Sequence, residues 1–238
     1  MTQIMNNIMK TTASIICALA LAVPAADAQW SVGVQAGVTY NSLHTDSGYA
    51  YDRHYSPALG YTVGIPVRYD FRDWFGLQAE ATMVYRGYAI DRSWVYWPIY
   101  YNYHNLYLDV PVFARFSFGG RRLRGYALAG AYVGAWLRSE VYGHQSRSFD
   151  TAETNVEGGY DFEETVPFDS RRDNRFDAGL AAGIGISYAF NAKFSIFAEA
   201  RYYYGLTDMQ KDYMKNRMPR YNNTLAVQIG GWFTFPNK

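Results

Sequence analysis

Apolar and polar residues alternate with a period of two along most of the chain. Between residues 105 and 118 the even positions, from Leu106 to Phe118, are all apolar, whereas the odd positions include Asp109 and Arg115. Because successive side chains of a β-strand point to opposite faces of the sheet, this run predicts a strand with one apolar face and one mixed face. The medium that each face meets then decides the class of protein.

The same alternation recurs seven more times and predicts eight strands of about 10 to 14 residues, a length that suits a tilted membrane strand. The two faces of the fifth strand are similar in polarity. Short connections alternate with long ones, which is typical of outer-membrane barrels with their short turns in the periplasm. The predicted strands cover residues 30–40, 59–71, 75–88, 105–118, 125–137, 176–190, 194–206 and 224–235, and the long loops cover residues 43–57, 89–104, 138–175 and 207–222.

The kind of polar residue separates a membrane barrel from a soluble one. All five lysines lie outside the predicted strands, whose polar faces carry Gly, Ser, Thr and Gln, and Arg together with Asp or Glu. Buried charges need partners, so these faces are interpreted as a crowded lumen. The predicted fold is all-β, an eight-stranded antiparallel transmembrane β-barrel with short periplasmic turns and long extracellular loops. The predicted lumen charge network consists of Arg68, Glu80, Arg86, Asp109, Arg115, Asp177, Glu199 and Arg201.

The turns set the expected register. We expect each large lumen side chain to face a small one across the strands, and we expect a bulge or an unpaired carbonyl at each strand proline, since proline cannot donate to the ladder. The expected opposite pairs are Arg201 with Gly183, Glu199 with Gly185, and Trp232 with Gly33. Arg68 should lie diagonal to Glu80, and Arg86 and Asp109 should lie at similar heights on neighbouring strands. Pro66 and Pro111 are the expected irregular positions.

The N-terminus resembles an export signal. Lys10 precedes the apolar stretch ASIICALALAVPA, and the small residues Ala26 and Ala28 precede Gln29. This pattern predicts a signal peptide at residues 1–28, cleaved on export, and one barrel domain at residues 29–238 in the cell outer membrane. The only cysteine, Cys17, lies within the predicted signal peptide, so we expect no disulfide in the exported chain.

Composition and motifs predict no chemistry of the catalytic kind. The formal net charge of +1 argues against nucleic-acid binding. The four histidines fall in the predicted outer loops without regular ligand spacing, so we expect no metal site, no cofactor and no enzyme activity. The sequence Asp150-Thr151-Ala152 matches a short O-glycosylation sequon, which makes Thr151 a candidate acceptor.

Residues 93–105 form the most aromatic of the predicted loops. They could provide a platform for a surface ligand, or they could be a strand extension and part of the aromatic girdle at the membrane interface, which we favour. The candidate surface-binding aromatics are Trp94, Tyr96, Trp97, Tyr100, Tyr101 and Tyr103.

Several segments resemble one protein family. The stretch YLDVPVFARF is similar to the Tyr-Leu-acid-Ile-Pro-Leu signature of PorT-like outer-membrane β-barrel proteins of the Bacteroidetes, and EARYYYGLTDM contains their Arg-Tyr-x-x-Gly-Leu element at Arg201, Tyr202, Gly205 and Leu206. The resemblance covers nearly the whole exported chain. It implies an eight-stranded outer-membrane barrel and, by analogy with the founding member, a part in protein secretion.

Three functions follow from the sequence. The first is a surface binding or accessory protein with a charge-plugged lumen, the second is a component of a protein-secretion assembly, and the third is a narrow porin-like channel. The plugged lumen is favoured over the channel, because eight strands leave little interior space. The expected partners are outer-membrane lipid and, as candidates, secretion or other envelope proteins.

Overall fold

The computed structural model describes residues 29–45, 54–94, 97–146, 159–211 and 219–235, and the predicted signal peptide, Tyr96 and Thr151 lie outside them. The described residues include no helix long and apolar enough to cross a membrane. They form the strands β1 (Gln29–Thr45), β2 (His54–Arg72), β3 (Phe75–Trp94), β4 (Trp97–Gly119), β5 (Leu123–Ser146), β6 (Gly159–Thr165), β7 (Phe176–Ala189), β8 (Phe194–Gly205) and β9 (Arg220–Thr234).

Eight of these strands close into a ring. The order is β4-β3-β2-β1-β9-β8-β7-β5, and β5 pairs with β4 to complete the circle. Every pairing is antiparallel. A closed ring leaves no unpaired strand edge to face lipid, which is why barrels can span membranes. The predicted eight-stranded antiparallel barrel is therefore confirmed.

The strands extend farther than predicted at the extracellular end. β3 and β4 pair as far as Trp94 and Trp97, within a predicted loop, and β5 continues to Ser146. β6 also lies in the predicted loop 138–175 and pairs with the outer part of β5. The extension within residues 93–105 agrees with the favoured interpretation of the aromatic loop, whereas the extension of β5 and the strand β6 were not predicted. Both strand faces leave the lipid there, so the apolar alternation that marked the strands fades.

The two faces of the strands meet different media, as the alternation predicts. Val34, Ile184 and Ile229 point outward and are 66%, 70% and 67% exposed, as suits side chains that face lipid. Asp109 and Arg115 are 1% and 2% exposed and point into the lumen. The apolar outside and polar inside invert the arrangement of a soluble barrel.

The expected register is confirmed in detail. Arg201 pairs with Gly183, Glu199 with Gly185, and Trp232 with Gly33. Arg68 lies opposite Gln78, which places it diagonal to Glu80.

Of the two alternatives expected at the strand prolines, the bulge is wrong, and an interrupted ladder agrees with the other alternative, an unpaired carbonyl. The register continues unchanged past Pro66 and Pro111. Each proline interrupts the ladder to one of its two neighbouring strands, which omits two pairs there. A missing N–H interrupts the ladder there without inserting a residue.

A glycine on a neighbouring strand leaves room for a large lumen side chain and lets the two strands approach closely. Phe113 of β4 is fully buried and pairs with Gly130 of β5. A Cβ atom added at Gly130 would lie 1.9 Å from the carbonyl oxygen of Val112 and 2.9 Å from the Cα atom of Phe113. Since these are backbone atoms, a larger residue would force β4 and β5 apart.

Gly130→Ala should therefore destabilise the barrel by about 1–3 kcal/mol through overpacking. Gly231→Ala is the matched control, because a Cβ atom at Gly231 meets nothing closer than 3.8 Å. Urea unfolding in detergent micelles measures both variants. Equal stability of the two would show that the approach at Gly130 is not a constraint.

Candidate functional site

The middle of the lumen holds a buried ionic cluster. The guanidinium of Arg201 donates to both oxygens of Glu80, at 2.7 and 2.6 Å, and also forms an ion pair with Glu199. The side chains of all three residues are completely buried. A two-pronged contact of this kind fixes both groups and excludes water from the centre of the barrel.

Neutral side chains complete the hydrogen bonding of the two glutamates. Gln35 and Gln78 donate to Glu80 at 2.6 and 2.7 Å. Gln228 donates to Glu199 at 3.0 Å, and the Tyr126 hydroxyl donates to it at 2.9 Å. Because each carboxylate has several donors from different strands, the cluster ties distant parts of the ring together.

A second cluster lies nearer the extracellular end. Arg86 pairs with Asp109 at 2.5 Å and with Asp177 at 2.9 Å, and its Nε atom donates to Thr224 at 3.2 Å. The hydroxyl of Thr207 donates to Asp177 at 2.8 Å. Each cluster thus contains one arginine and two acids, so each carries a formal charge of −1 if all groups are ionised.

The remaining two arginines of the predicted network lie toward the periplasmic end. Arg68 pairs with Asp70 at 2.8 Å. Arg115 forms no ion pair among the described residues: it donates to Gln78 at 3.2 Å and lies over the ring of Tyr126 at 3.4 Å. The expectation that each lumen charge has an opposite partner is therefore wrong for Arg115, which is stabilised by an aromatic face and an amide.

A cover of two segments, residues 166–175 and 206–211, closes the extracellular mouth. The segments are joined by a bridge between Asp173 and Gln210 and by the hydrogen bond from Asn174 N to Met209 O, 2.9 Å long. Phe168 packs edge-on against Trp136, with ring centroids 5.0 Å apart. The cover therefore rests on aromatic side chains that rise from the barrel wall.

Asp173 holds the first segment in place. It pairs with Arg172 at 2.8 Å and accepts a hydrogen bond from the backbone N–H of Asp169 at 2.8 Å. Burial by itself raises the pKa of Asp173, but these contacts outweigh it and hold the pKa below its usual value. The carboxylate is therefore ionised at neutral pH.

Beneath the cover lies a cavity of about 290 Å³. Tyr88 and Tyr103 stack in its wall, with ring centroids 4.8 Å apart and planes 17° apart. Trp136 and Arg220 also contribute to the lining, together with parts of the cover. Aromatic walls with a few charged groups are typical of small-ligand sites.

The predicted surface aromatics do not share one face. Tyr103 lines the mouth cavity, whereas Tyr100 lines an open depression on the flank of the barrel beside Tyr142. Tyr101 packs against Phe162 of β6, with centroids 5.5 Å apart. The side chains of Trp94 and Trp97 lie outside the described part of the chain, as does Tyr96. The predicted loop is largely a strand extension, in agreement with the favoured alternative.

The sequence alone missed the aromatic lumen face of β5. Tyr126 and Tyr132 are 1% and 2% exposed, and they pair with Gly185 and Gly179 of β7. A Cβ atom at either glycine would overlap the opposite tyrosine ring. The spacing of the two glycines, matched to that of the two tyrosines, is the signal that could have assigned this face.

A protein family with this architecture matches most of the chain. Residues 24–211 match the family described as outer membrane protein beta-barrel domain. Similar solved structures include OprG of Pseudomonas aeruginosa, with 11% identity, 87% of this chain and 96% of that chain covered and a TM-score of 0.49. The attachment invasion locus protein Ail of Yersinia pestis has 15% identity, 86% and 98% coverage and a TM-score of 0.42.

No curated protein sequence matches the chain. The family match supports the general family to which the sequence resemblance points, and the narrower PorT-like assignment stays a prediction. The match covers β1 to β8 and ends at residue 211, beyond the Arg-Tyr-x-x-Gly-Leu element at Arg201. The chain belongs to the outer membrane protein beta-barrel domain family and resides in the cell outer membrane.

Proposed function

We propose that the protein is a surface binding protein whose extracellular mouth takes a small ligand, on a barrel whose plugged lumen passes no solute. The observation that carries this proposal is the covered cavity at Tyr88, Tyr103 and Trp136. Its size of about 290 Å³ suits a compact ligand of one ring. A wall of stacked aromatic rings suits the flat face of such a ring.

Charge narrows the class of ligand. Arg172, Asp173 and Arg220 are the charged residues among those that line the cavity. Two guanidinium groups against one carboxylate favour an anionic ligand, and guanidinium groups bind carboxylates in a defined geometry. A ring that bears one carboxylate, such as a uronic acid at the end of a surface glycan, fits both the walls and the charge.

The lumen beneath the cavity argues against the channel alternative. The two ionic clusters and their amide partners fill the cross-section, and Arg201, Arg115 and Trp232 are among the largest fully buried side chains. Moving an ion past them would require breaking buried ion pairs in a region without water. A ligand at the mouth would therefore be bound and not transported.

The secretion alternative rests on the PorT-like resemblance and needs a test in cells. Deletion of the gene followed by a comparison of secreted proteins would test it. Loss of secreted cargo, restored by the intact chain, would favour a machinery subunit over a free-standing binding protein.

The binding proposal predicts that glucuronic acid binds saturably to the folded protein in micelles and quenches Trp136 fluorescence. Arg220→Gln should weaken this binding about tenfold, because it removes one charged hydrogen-bond donor. Arg171→Gln is the matched control, since Arg171 is an exposed residue of the cover that is absent from the cavity lining. Trp136→Phe assigns the signal to this tryptophan.

Two results would contradict a site selective for acids. One is that neutral glucose quenches the wild type as strongly as glucuronic acid does, and the other is that glucuronic acid quenches Arg220→Gln as strongly as the wild type. Absence of any saturable signal from a panel of uronic, sialic and aromatic acids would contradict the binding function itself.

The plug predicts that Arg201→Ala costs about 3–5 kcal/mol of folding free energy, because it leaves Glu80 and Glu199 buried without a counter-charge. Arg138→Ala is the control. Arg138 pairs with Glu140, but its side chain is 57% exposed, so losing this ion pair should cost at most about 1 kcal/mol. The temperature at which the folded gel band disappears measures both. An unchanged temperature for Arg201→Ala would overturn the packed-lumen interpretation.

The same plug predicts no steady conductance of the wild-type protein in a planar bilayer, measured beside an open porin as the positive control. Removing both charges in Glu80→Ala with Arg201→Ala empties the centre of the lumen and should produce small openings. Steady openings of the wild type would favour the channel alternative.

A further inference from the structure

A second cavity, of about 370 Å³, opens at the periplasmic end of the barrel. We propose that it binds a phosphate group, and that an anionic phospholipid of the periplasmic leaflet supplies this group. The residues that carry the proposal are Arg68, Arg115, Arg121, Arg122 and Arg124, with Asp70 as the one acid among the described residues of the lining.

Arg115 is the centre of this site. It is 2% exposed, yet no carboxylate of the described residues lies within ion-pair distance. Its Nε and Nη1 atoms donate to Ser117 at 3.4 Å and Gln78 at 3.2 Å, and Tyr126 covers one face of its guanidinium. A buried cation without a counter-ion in contact is costly, and among the described residues the third nitrogen, Nη2, has no hydrogen-bond partner, so it can donate to an anion in the cavity.

The other arginines make the end of the barrel strongly cationic. Arg68 is partly neutralised by Asp70, at 2.8 Å. Arg124 lies 3.9 Å from Asp73, which is 95% exposed, so this pair contributes little. Arg121 and Arg122 are exposed in the turn between β4 and β5. The positive charge of the lumen network is thus concentrated here, whereas the two inner clusters each carry a surplus of acid.

Guanidinium groups converging on one cavity match the geometry of a phosphate, which accepts several charged hydrogen bonds at once. Among the described residues of the lining, Asp70 is the acid that would compete with the anion for these arginines. These properties favour a bound oxyanion over a purely structural role for five arginines.

The surroundings favour a lipid as the source of the phosphate. Phe190 and Phe194 line the cavity, and the same two residues line an open apolar depression on the outer wall with Ile65 and Ile196. The side chains of Phe190 and Phe194 are 59% and 52% exposed. The arginine cavity and the lipid-facing wall therefore share a rim, so a headgroup could enter the cavity while its acyl chains follow the wall.

The test uses the folded protein in a non-ionic detergent that contains no phosphate. Calorimetric titration with dioctanoyl phosphatidylglycerol should show saturable binding, and inorganic phosphate should compete with it. Arg115→Gln should weaken binding about tenfold or more, since it removes a charged donor. Arg138→Gln, at the opposite end of the barrel, should leave binding unchanged.

The exposed turn offers a second variant if Arg115→Gln fails to fold. Arg121→Gln with Arg122→Gln lies outside the packed lumen and should also weaken phosphate binding. Equal affinity of the wild type and both variants, or no binding of either probe, would overturn the site. Binding of inorganic phosphate without binding of the lipid would overturn the lipid source and leave a soluble phosphate ester as the ligand. Because the mouth cavity is tested separately, failure here leaves the proposed surface function standing.

Discussion

Within the membrane, every backbone N–H and C=O group must find its hydrogen-bond partner inside the protein, because the lipid core contains no water. A sheet satisfies this constraint in lipid by closing on itself. Here the first strand pairs with the last, β1 with β9, and the pairing of β4 with β5 completes the ring. Closure at eight strands makes the interior narrow enough for side chains to fill. The width of the lumen, its packing and its charge all follow from that closure.

A narrow lumen that excludes water forces the charges into partnerships. Arg201 and Arg86 each draw in two acids, and amide side chains satisfy the remaining oxygens. Buried pairs of this kind are weak evidence for net stability, but removing one member is costly, so they hold the strands in a single arrangement. The middle of the lumen is therefore packed with side chains, and the cavities of about 290 and 370 Å³ lie at its two ends.

The two ends differ in construction. At the extracellular end, extended strands and a folded cover enclose aromatic side chains such as Trp136, with the charges of Arg172, Asp173 and Arg220 at the edge. At the periplasmic end, tight turns leave no room for a cover, and arginines gather around an open cavity. The two proposed sites, one for a small ring-bearing acid and one for a phosphate, each use the construction of the end at which they lie.

Sequence patterns were enough to predict the eight strands of the ring and the inward and outward faces of all of them except β5. Period-two alternation and turn length set these properties locally, and the turns then predicted pairs such as Arg201 with Gly183. Tertiary structure decided which charges meet, because Arg86 and Asp177 lie on strands that are distant in the chain. It also decided that Arg115 would lack an acid within ion-pair distance and that a cover would lie over the mouth. These outcomes depend on distances across the ring, which no local pattern of residues encodes.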